Sequence, residues 1–490
     1  QAAGDTLDLN AIKSNCKPEG HAIQVRVYAE DPSKDFQPSA GLLSEVIWPE
    51  AEGLRIDHWI ESGVEVPALF DPMLAKVIVH ADNRLDATQA LDNNLAETQL
   101  YGIMTNIDYV RQILQTDLFK QGKVFTQTLN QLTASYQGFE VLKPGTMTTI
   151  QDYPACSGYW DIGVPPSGPF DFYSFNLANR LLNNPQEAAG LEITISGPTL
   201  QFYSDSHVVI SGADIDIKLD DVDCSIDQVI TIKAGQTLAI GNVKMHGARA
   251  YLAIAGGIQC PDYLGSKSTF TLGQFGGHCG RALRTGDFVA LSTINESSNN
   301  HALSTKIESN VLAKLRAPIT NNWKVRVIYG PHGAPDFFTY DDIQTINQHE
   351  WEIHYNSSRT GIRLIGPKPE WARETGGEAG LHPSNIHDNA YAFGTVDFTG
   401  DMPVILGPDG PSLGGFVCPF TVVSADLWKL GQLKAGDKLS FEVVDLATAK
   451  QLELALLQQI AELAPQTPDY ALVALSQDST PVLDTLVTHD

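Results

Sequence analysis

VVISGADIDIKL, residues 208–219, sets two short apolar runs on either side of a glycine and an aspartate, a strand–turn–strand pattern. The same alternation recurs in LEITIS (191–196), VITIKAGQTLAIG (229–241) and YLAIAGG (251–257). Strands this short and this regularly spaced over Phe139 to about Thr293 predict a β-barrel or sandwich. One helix interrupts them, capped by Asp171 and carried by Tyr173, Leu177 and Leu181.

The polar segment NESSNNHALSTKIES (295–309) predicts a boundary, after which KVRVIYG opens a second β-rich unit that runs to DKLSFEVVD (437–445). RTGDFVAL and KAGDKLSFEV close the two units alike, a hint of duplication. Upstream, HAIQVRVYAEDP puts Ile23, Val25 and Val27 on one face of a strand and Gln24, Arg26 and Tyr28 on the other. Helices are expected from a capping Asp82 through Leu95 and over Ile107 to Leu114, then a linker at 133–138. A last helix is expected in ATAKQLELALLQQIAELA, with Leu452, Leu456 and Ile460 at helical spacing.

With 490 residues the chain exceeds one hydrophobic core and implies roughly two to four domains. The expected units are 1–132, a linker at 133–138, 139–294, a linker at 295–322, 323–446, and a helix with connector at 447–490. Apolar residues make up 43% and charged residues 18%, a folding composition. Fifty-eight acids against 32 Lys plus Arg give −26, which disfavours nucleic acid and anionic membrane surfaces as partners. Cys16, Cys156, Cys224, Cys260, Cys279 and Cys418 are scattered without a C-x-x-C pair, which reads as a reducing, cytoplasmic setting. Gln1-Ala2-Ala3-Gly4 is neither a signal peptide nor an initiating methionine, so the chain is expected to begin inside something larger.

SNIHDNAYAFGTVDFTGD (384–401) concentrates asparagines, a histidine and aspartates almost without cations. Such an inventory suits a small neutral ligand rich in N–H donors, and equally suits tight turns, where Asn and Asp bond their own backbone. Arg26 can clamp an oxyanion or pair with Glu30 or Asp31. The loops GGHCGR (276–281), TGGEAG (375–380) and GPDGPSLGG (407–415) read as β-turns or as pocket walls, with Arg281 a candidate direct ligand. His278 beside Cys279 lacks a second pair at zinc spacing, so no metal is expected. Trp160 and Tyr159 can stack on a ring or pack a core.

GHAIQVRVYAEDP, FDPMLAKVIVHADNRLDA and YGIMTNIDYVRQIL together resemble the C-terminal part of a biotin carboxylase domain. The resemblance implies that Arg26 lies against the ureido oxygen of biotin, with Asp71 of FDPM near that pocket. VLKPGTMTTIQDYPACSGYWDIGVPPSGPFDFYSFNLANRLLNN and GLEITISGPTL resemble the KipA-like, allophanate-hydrolase-subunit-two family, in the GVPPSGPFD form of urea carboxylases. A biotin carboxylase end followed by this family is the urea carboxylase arrangement.

The implied fold is an α+β N-terminal subdomain, a mainly-β region of two barrel-like (cyclophilin-like) subdomains, and a C-terminal helix. The implied activity is carboxyl transfer from carboxybiotin to urea, giving allophanate. Arg26, Asn385 and His387 are then the expected catalytic residues, Ser384, Asp388 and Asn389 substrate contacts, and Asp71 and Arg281 cofactor contacts. Neither an ATP-grasp loop nor an A-M-K-M biotinylation segment occurs in the sequence. Biotin on a carrier domain, the ATP-grasp part with ATP and Mg, a KipI-like half, and allophanate hydrolase as functional neighbour are therefore expected elsewhere. Two other readings stand beside this one: a 5-oxoprolinase-type KipA-like protein, and a non-catalytic KipA-like regulatory module.

Overall fold

The computed structural model describes residues 8–10, 13, 19–125, 127–292 and 315–463. The expected boundary at 295–309, Cys16 and the stretch after Pro465 lie outside the described residues.

Three apolar cores organise the chain, and each follows from its sequence periodicity. In the N-terminal unit, His21–Tyr28 pairs antiparallel with Met73–Ala81, which pairs in turn with Leu54–His58. Val27, Val77 and Val79 point to one face, where the helices Arg84–Glu97 and Ile107–Gln115 cover them with Leu91, Leu95 and Ile107. Arg26, opposite Lys76 in the register, stands on the uncovered face. The first helix is capped by Asn83, whose side chain accepts from the Asp86 amide, and not by Asp82. Either residue type can cap; the chain geometry selects the later one.

The first β unit is two sheets, of six and five strands, closed on one core. Phe139, Leu200, Phe202, Ile217 and Leu238 enter that core from one sheet, and Ile193, Ile210, Ile232, Leu252 and Ile254 from the other. Of the barrel or sandwich expected here, it is thus the sandwich in its hydrogen bonding, so the two units are not the pair of similar barrels that the resemblance implies. The second β unit is a closed seven-stranded barrel. Its lining is Val325, Val327, Phe398, Ile405, Phe420, Leu439 and the fully buried Trp351. The similar closing segments are both strands, Phe288–Ala290 and Lys438–Val443, but the second runs parallel to Asn322–Tyr329, a pairing that helps shut the barrel.

The helix Phe172–Leu181, capped by Asp171, packs Tyr173 and Leu177 into the barrel core and Ala178 against Val209 and Ala253 of the sandwich, so it belongs to both units. The C-terminal helix Leu446–Leu463 rests on it and turns Leu452, Leu456 and Ile460 inward. The expected linker at 133–138 is not free chain. Tyr136 is buried edge-on against Tyr203 and Phe288, and Gly138 already belongs to a strand.

A buried ion network fastens sandwich to barrel. Arg359 of the barrel donates from Nε and Nη2 to both carboxylate oxygens of Asp409 (2.8 and 2.9 Å), and from Nη1 to Glu192 of the sandwich (2.7 Å). Its Nη2 also donates to the Gly168 carbonyl (2.9 Å). Glu192 further accepts from the Phe170 amide and the Tyr251 hydroxyl and faces Arg249, whose Nη1 donates to the Gly431 carbonyl. Two carboxylates thus face two guanidiniums. Burial works against the charge on Glu192, yet Arg359 and Arg249 outweigh it and hold its pKa below the usual carboxylate range. Desolvating such ions is costly and is offset only when each lone pair and N–H is matched.

Removing one member uncovers the others. Arg359→Met should cost about 3–5 kcal/mol of unfolding free energy in urea denaturation. Adding Glu192→Gln and Asp409→Asn should recover part of that loss. An Arg359→Met protein as stable as wild type would show that the network carries no weight.

Candidate functional site

The polar stretch 384–401 begins as one strand of a two-stranded ribbon lying outside the barrel. Asn385–Ala390 pairs antiparallel with Leu413–Phe416, Asn385 opposite Phe416 and Asn389 opposite Gly414. Three residues on one strand, 386–388, therefore lie opposite the single Gly415 on the other and bulge out. The bulge releases His387 and Asp388 to solvent while Ile386 packs on the barrel core. Such a local break re-aims side chains, and bulges concentrate beside active sites for that reason.

Asn385 is half-buried, and its carboxamide makes no side-chain hydrogen bond among the described residues. The TGGEAG loop closes directly upon it. A Cβ at Gly380 would collide with Asn385 Nδ2, and one at Gly376 would stand 2.5 Å from the Asn385 carbonyl oxygen, so only glycine permits the approach. Arg373 fixes the chain entering the ribbon. Its Nε and Nη2 donate to the Pro383 carbonyl (2.8 and 2.6 Å), and Nη2 donates to the Asn385 carbonyl (2.6 Å).

Behind the ribbon, Tyr391, Val404, Leu406 and Cys418 form a small separate core. Tyr391 locks both strands, its hydroxyl donating to the Phe416 carbonyl (3.1 Å) and accepting from the Phe416 amide (2.8 Å). Trp160, from the sandwich side of the chain, donates its indole N–H to the Tyr391 carbonyl at 2.7 Å. The Ser167 amide donates to the Pro408 carbonyl. The 156–168 segment and the ribbon thus form two sides of one seam, directly beside the Arg359 network.

Asp397 lies in this seam. Its strand neighbours Val396 and Phe398 enter the barrel core, so its carboxyl faces outward toward Cys418 and Tyr391. It is 4% exposed and, among the described residues, its side chain accepts only a long bond from the Thr399 hydroxyl (3.4 Å). Burial pushes its pKa up to about 7.

The sequence-derived candidates fall in three places. Asn385, His387, Asp388 and Asn389 share the ribbon, although Asn389 turns its amide to the neighbouring Ala390 carbonyl. Ser384 is fully buried behind it, its hydroxyl against His382 Nδ1 (2.9 Å) and its carbonyl accepting from Val417 N–H, so it fastens the loop. His382 in turn faces Asp401 at 3.3 Å.

Arg26 and Asp71 share the exposed face of the N-terminal unit. Arg26 donates to the Tyr28 hydroxyl (3.2 Å), and Asp71 accepts from the Met73 amide (2.9 Å). Arg281 belongs to a third place, the junction of N-terminal unit and sandwich. Both its Nη atoms are committed to Asp287 (2.7 and 2.9 Å). Asp287 also faces His278, whose Nδ1 meets the Tyr101 hydroxyl at 3.2 Å. Asp287 thus occupies the Arg281 fork that a ligand would need, while the contact across the junction is that of Tyr101 with His278.

Sequence reasoning passed over Arg373, His332, Tyr391 and the burial of Asp397. An aspartate at the centre of the apolar run TVDFT was a usable signal, since the alternation puts it opposite the core.

Residues 162–443 match the family described as carboxyltransferase domain, subdomain A and B, and residues 24–131 match the biotin carboxylase C-terminal domain. A urea amidolyase of Lachancea kluyveri is 46% identical over 454 residues, covering 92% of this chain and 24% of its own length. The solved urea carboxylase of Kluyveromyces lactis superposes with a TM-score of 0.86 at 44% identity, over 94% of this chain and 41% of that one. A 5-oxoprolinase component of Haemophilus influenzae is 29% identical over 314 residues, 64% of this chain and 93% of its own. The chain spans about a quarter of the length of the curated urea amidolyases it matches.

The raised pKa of Asp397 has a stability consequence of definite sign. A carboxyl whose folded pKa is about 7 favours the fold when protonated, and that contribution is lost as pH rises from about 4 through 7. Asp397→Asn removes the titration, so thermal melts should show the variant gaining on wild type between pH 4 and 7 and holding that gain above it. A difference independent of pH would refute the burial argument.

Proposed function

Since the chain belongs to the family of the carboxyltransferase domain, subdomains A and B, we propose that it forms part of a biotin-dependent urea carboxylase, its ribbon binding urea for carboxylation to allophanate. The observation that carries this reading is the Asn385 carboxamide, half-buried under a glycine loop and without a side-chain hydrogen bond among the described residues. Urea presents four N–H donors and one carbonyl acceptor without charge. A carboxamide answers both ends, its oxygen accepting and its NH2 donating.

His387, Asp388 and Asn389 extend the polar edge on the same bulged strand. Biotin, when its carrier brings it in, supplies the carboxyl group to be transferred. The chain's own residues bind and orient the acceptor and narrow the seam against water. Trp160 and Tyr391 hold the seam's two sides together, and Asp397, with a pKa near neutrality, is able to hold a proton beneath the ribbon without a buried charge. Arg26 and Asp71, on the open face of the N-terminal unit, are suited to partners of the biotin carboxylase reaction, where an ATP-grasp part would bring ATP and Mg. The remaining partners in this reading are a biotin carboxyl carrier domain, a KipI-like half completing the carboxyltransferase, and allophanate hydrolase consuming the product.

The 5-oxoprolinase reading draws on the Haemophilus relative but leaves the biotin carboxylase end, residues 24–131, without a role.

Asn385→Ala, placed in the complete enzyme, should lower urea-dependent bicarbonate incorporation by about a hundredfold or more, with biotin-dependent ATP turnover retained. Unchanged carboxyl transfer would remove Asn385 from the site. Partner-dependent activity on 5-oxoproline would favour the other reading.

A further inference from the structure

Beside the ribbon stands a cation that no carboxylate neutralises among the described residues. Arg373 is half-buried, and its guanidinium lies 4.6 Å from the Phe337 ring centroid. Its hydrogen bonds go to two carbonyls, from Nε and Nη2, which leaves Nη1 without a partner among the described residues. Glu374 and Glu378 are close in sequence but exposed, and neither forms an ion pair with it. Burial lowers its pKa, with no acid to offset the effect. The deeply placed guanidiniums of the seam are otherwise paired: Arg359 with Asp409 and Glu192, Arg249 with Glu192.

The same Phe337 ring carries a second donor. His332 packs edge-on against it at 5.0 Å, and its Nδ1 accepts from the Cys418 amide at 3.2 Å. A backbone amide only donates, so Nδ1 is unprotonated and the neutral imidazole carries its proton on Nε2. Nε2 makes no hydrogen bond among the described residues. Burial, and then the charge of Arg373, lower the His332 pKa and keep it in this neutral form. Cys418 lies two residues beyond Phe416, the residue that pairs with Asn385. Guanidinium, imidazole N–H and free carboxamide are therefore all tied to one end of the ribbon.

We propose that Arg373 and His332 form a subsite for a small carboxylate next to Asn385, taking the carboxyl group while the carboxamide takes the neutral amide. The guanidinium supplies the charge and the imidazole a neutral N–H, a pairing that binds an anion without setting two cations side by side. The inference deepens the urea reading and rests on it, because it assigns the two ends of an amide–carboxylate molecule to two ends of one site.

Oxamate, an amide joined to a carboxylate, and oxamide, its neutral counterpart, are the probes. Calorimetric titration of this chain should show oxamate binding and oxamide about tenfold weaker or worse. Arg373→Met should lower oxamate affinity about tenfold and leave oxamide unchanged, Arg373→Lys should lose less, and His332→Phe should weaken oxamate with the guanidinium intact. A loosened loop would harm both probes alike, so a loss confined to oxamate reports charge. Folded Arg373→Met that binds oxamate like wild type, or wild type that prefers oxamide, would overturn the subsite. Should Arg373→Met fail to fold, wild-type oxamate affinity decides: it should fall as salt rises from about 0.02 to 0.5 M, and insensitivity would overturn the proposal. Arg373-dependent oxamate binding alongside urea transfer indifferent to Asn385 would leave the anion subsite standing and remove urea as the acceptor. Asn385-dependent transfer with oxamate indifferent to Arg373 would do the reverse.

Discussion

Everything at the seam depends on Arg359. Its guanidinium touches the barrel through Asp409, the sandwich through Glu192, and the connecting segment through the Gly168 carbonyl. The helix Phe172–Leu181 joins the two β units by apolar packing, but burial is non-directional and leaves their exact relation to polar contacts. A bidentate ion pair with a second carboxylate at the remaining nitrogen is directional in the extreme. Around it, Gln432 donates to Asp171 and to the Arg249 carbonyl and accepts from the Ala248 and Arg249 amides, so the barrel also grips the helix cap of the sandwich side. Burial pushes the Asp171 pKa up to about 6, which places the network's soft point at that cap.

The site is a consequence of that lock. With sandwich and barrel fixed, the 156–168 segment lies along the ribbon, Trp160 reaches the Tyr391 carbonyl, and Tyr391 holds the ribbon's two strands in register. The register carries a bulge, and the bulge turns His387 and Asp388 outward and leaves Asn385 beneath the glycine loop. Rigid scaffold and re-aimed polar residues suit the small neutral substrate proposed above, since it offers no charge to pull itself into place.

Local pattern carried much of this. The alternation in HAIQVRVY, the Asp171 cap and the Leu452, Leu456, Ile460 stripe each specified an element that the structure contains. The polar run at 384–401 stood out by its asparagines and aspartates without cations, but its pairing as a ribbon with 413–416 was not legible. What sequence left hidden is long-range. Arg359 and Glu192 are 167 positions apart, and an isolated arginine in SSRTG looks like any surface residue until Asp409 and Glu192 meet it. Arg281 and Asp287 are only six residues apart, yet the Tyr101 hydroxyl that meets His278 beside the pair comes from another unit. Closure of one β unit as a barrel and the other as a sandwich turned on strand pairing across the chain, which similar closing segments do not encode.

The dependence of the ribbon on the lock is open to direct measurement by hydrogen–deuterium exchange of wild type and Arg359→Met, followed by peptide mass. The backbone amides of Tyr391 and Phe416 and those of the 156–168 segment should lose protection together in the variant, while the N-terminal strand His21–Tyr28 exchanges as before. Unchanged protection at Tyr391 and Phe416 in a variant that has lost the Arg359 bonds would contradict the claim that this ion network holds the site in shape.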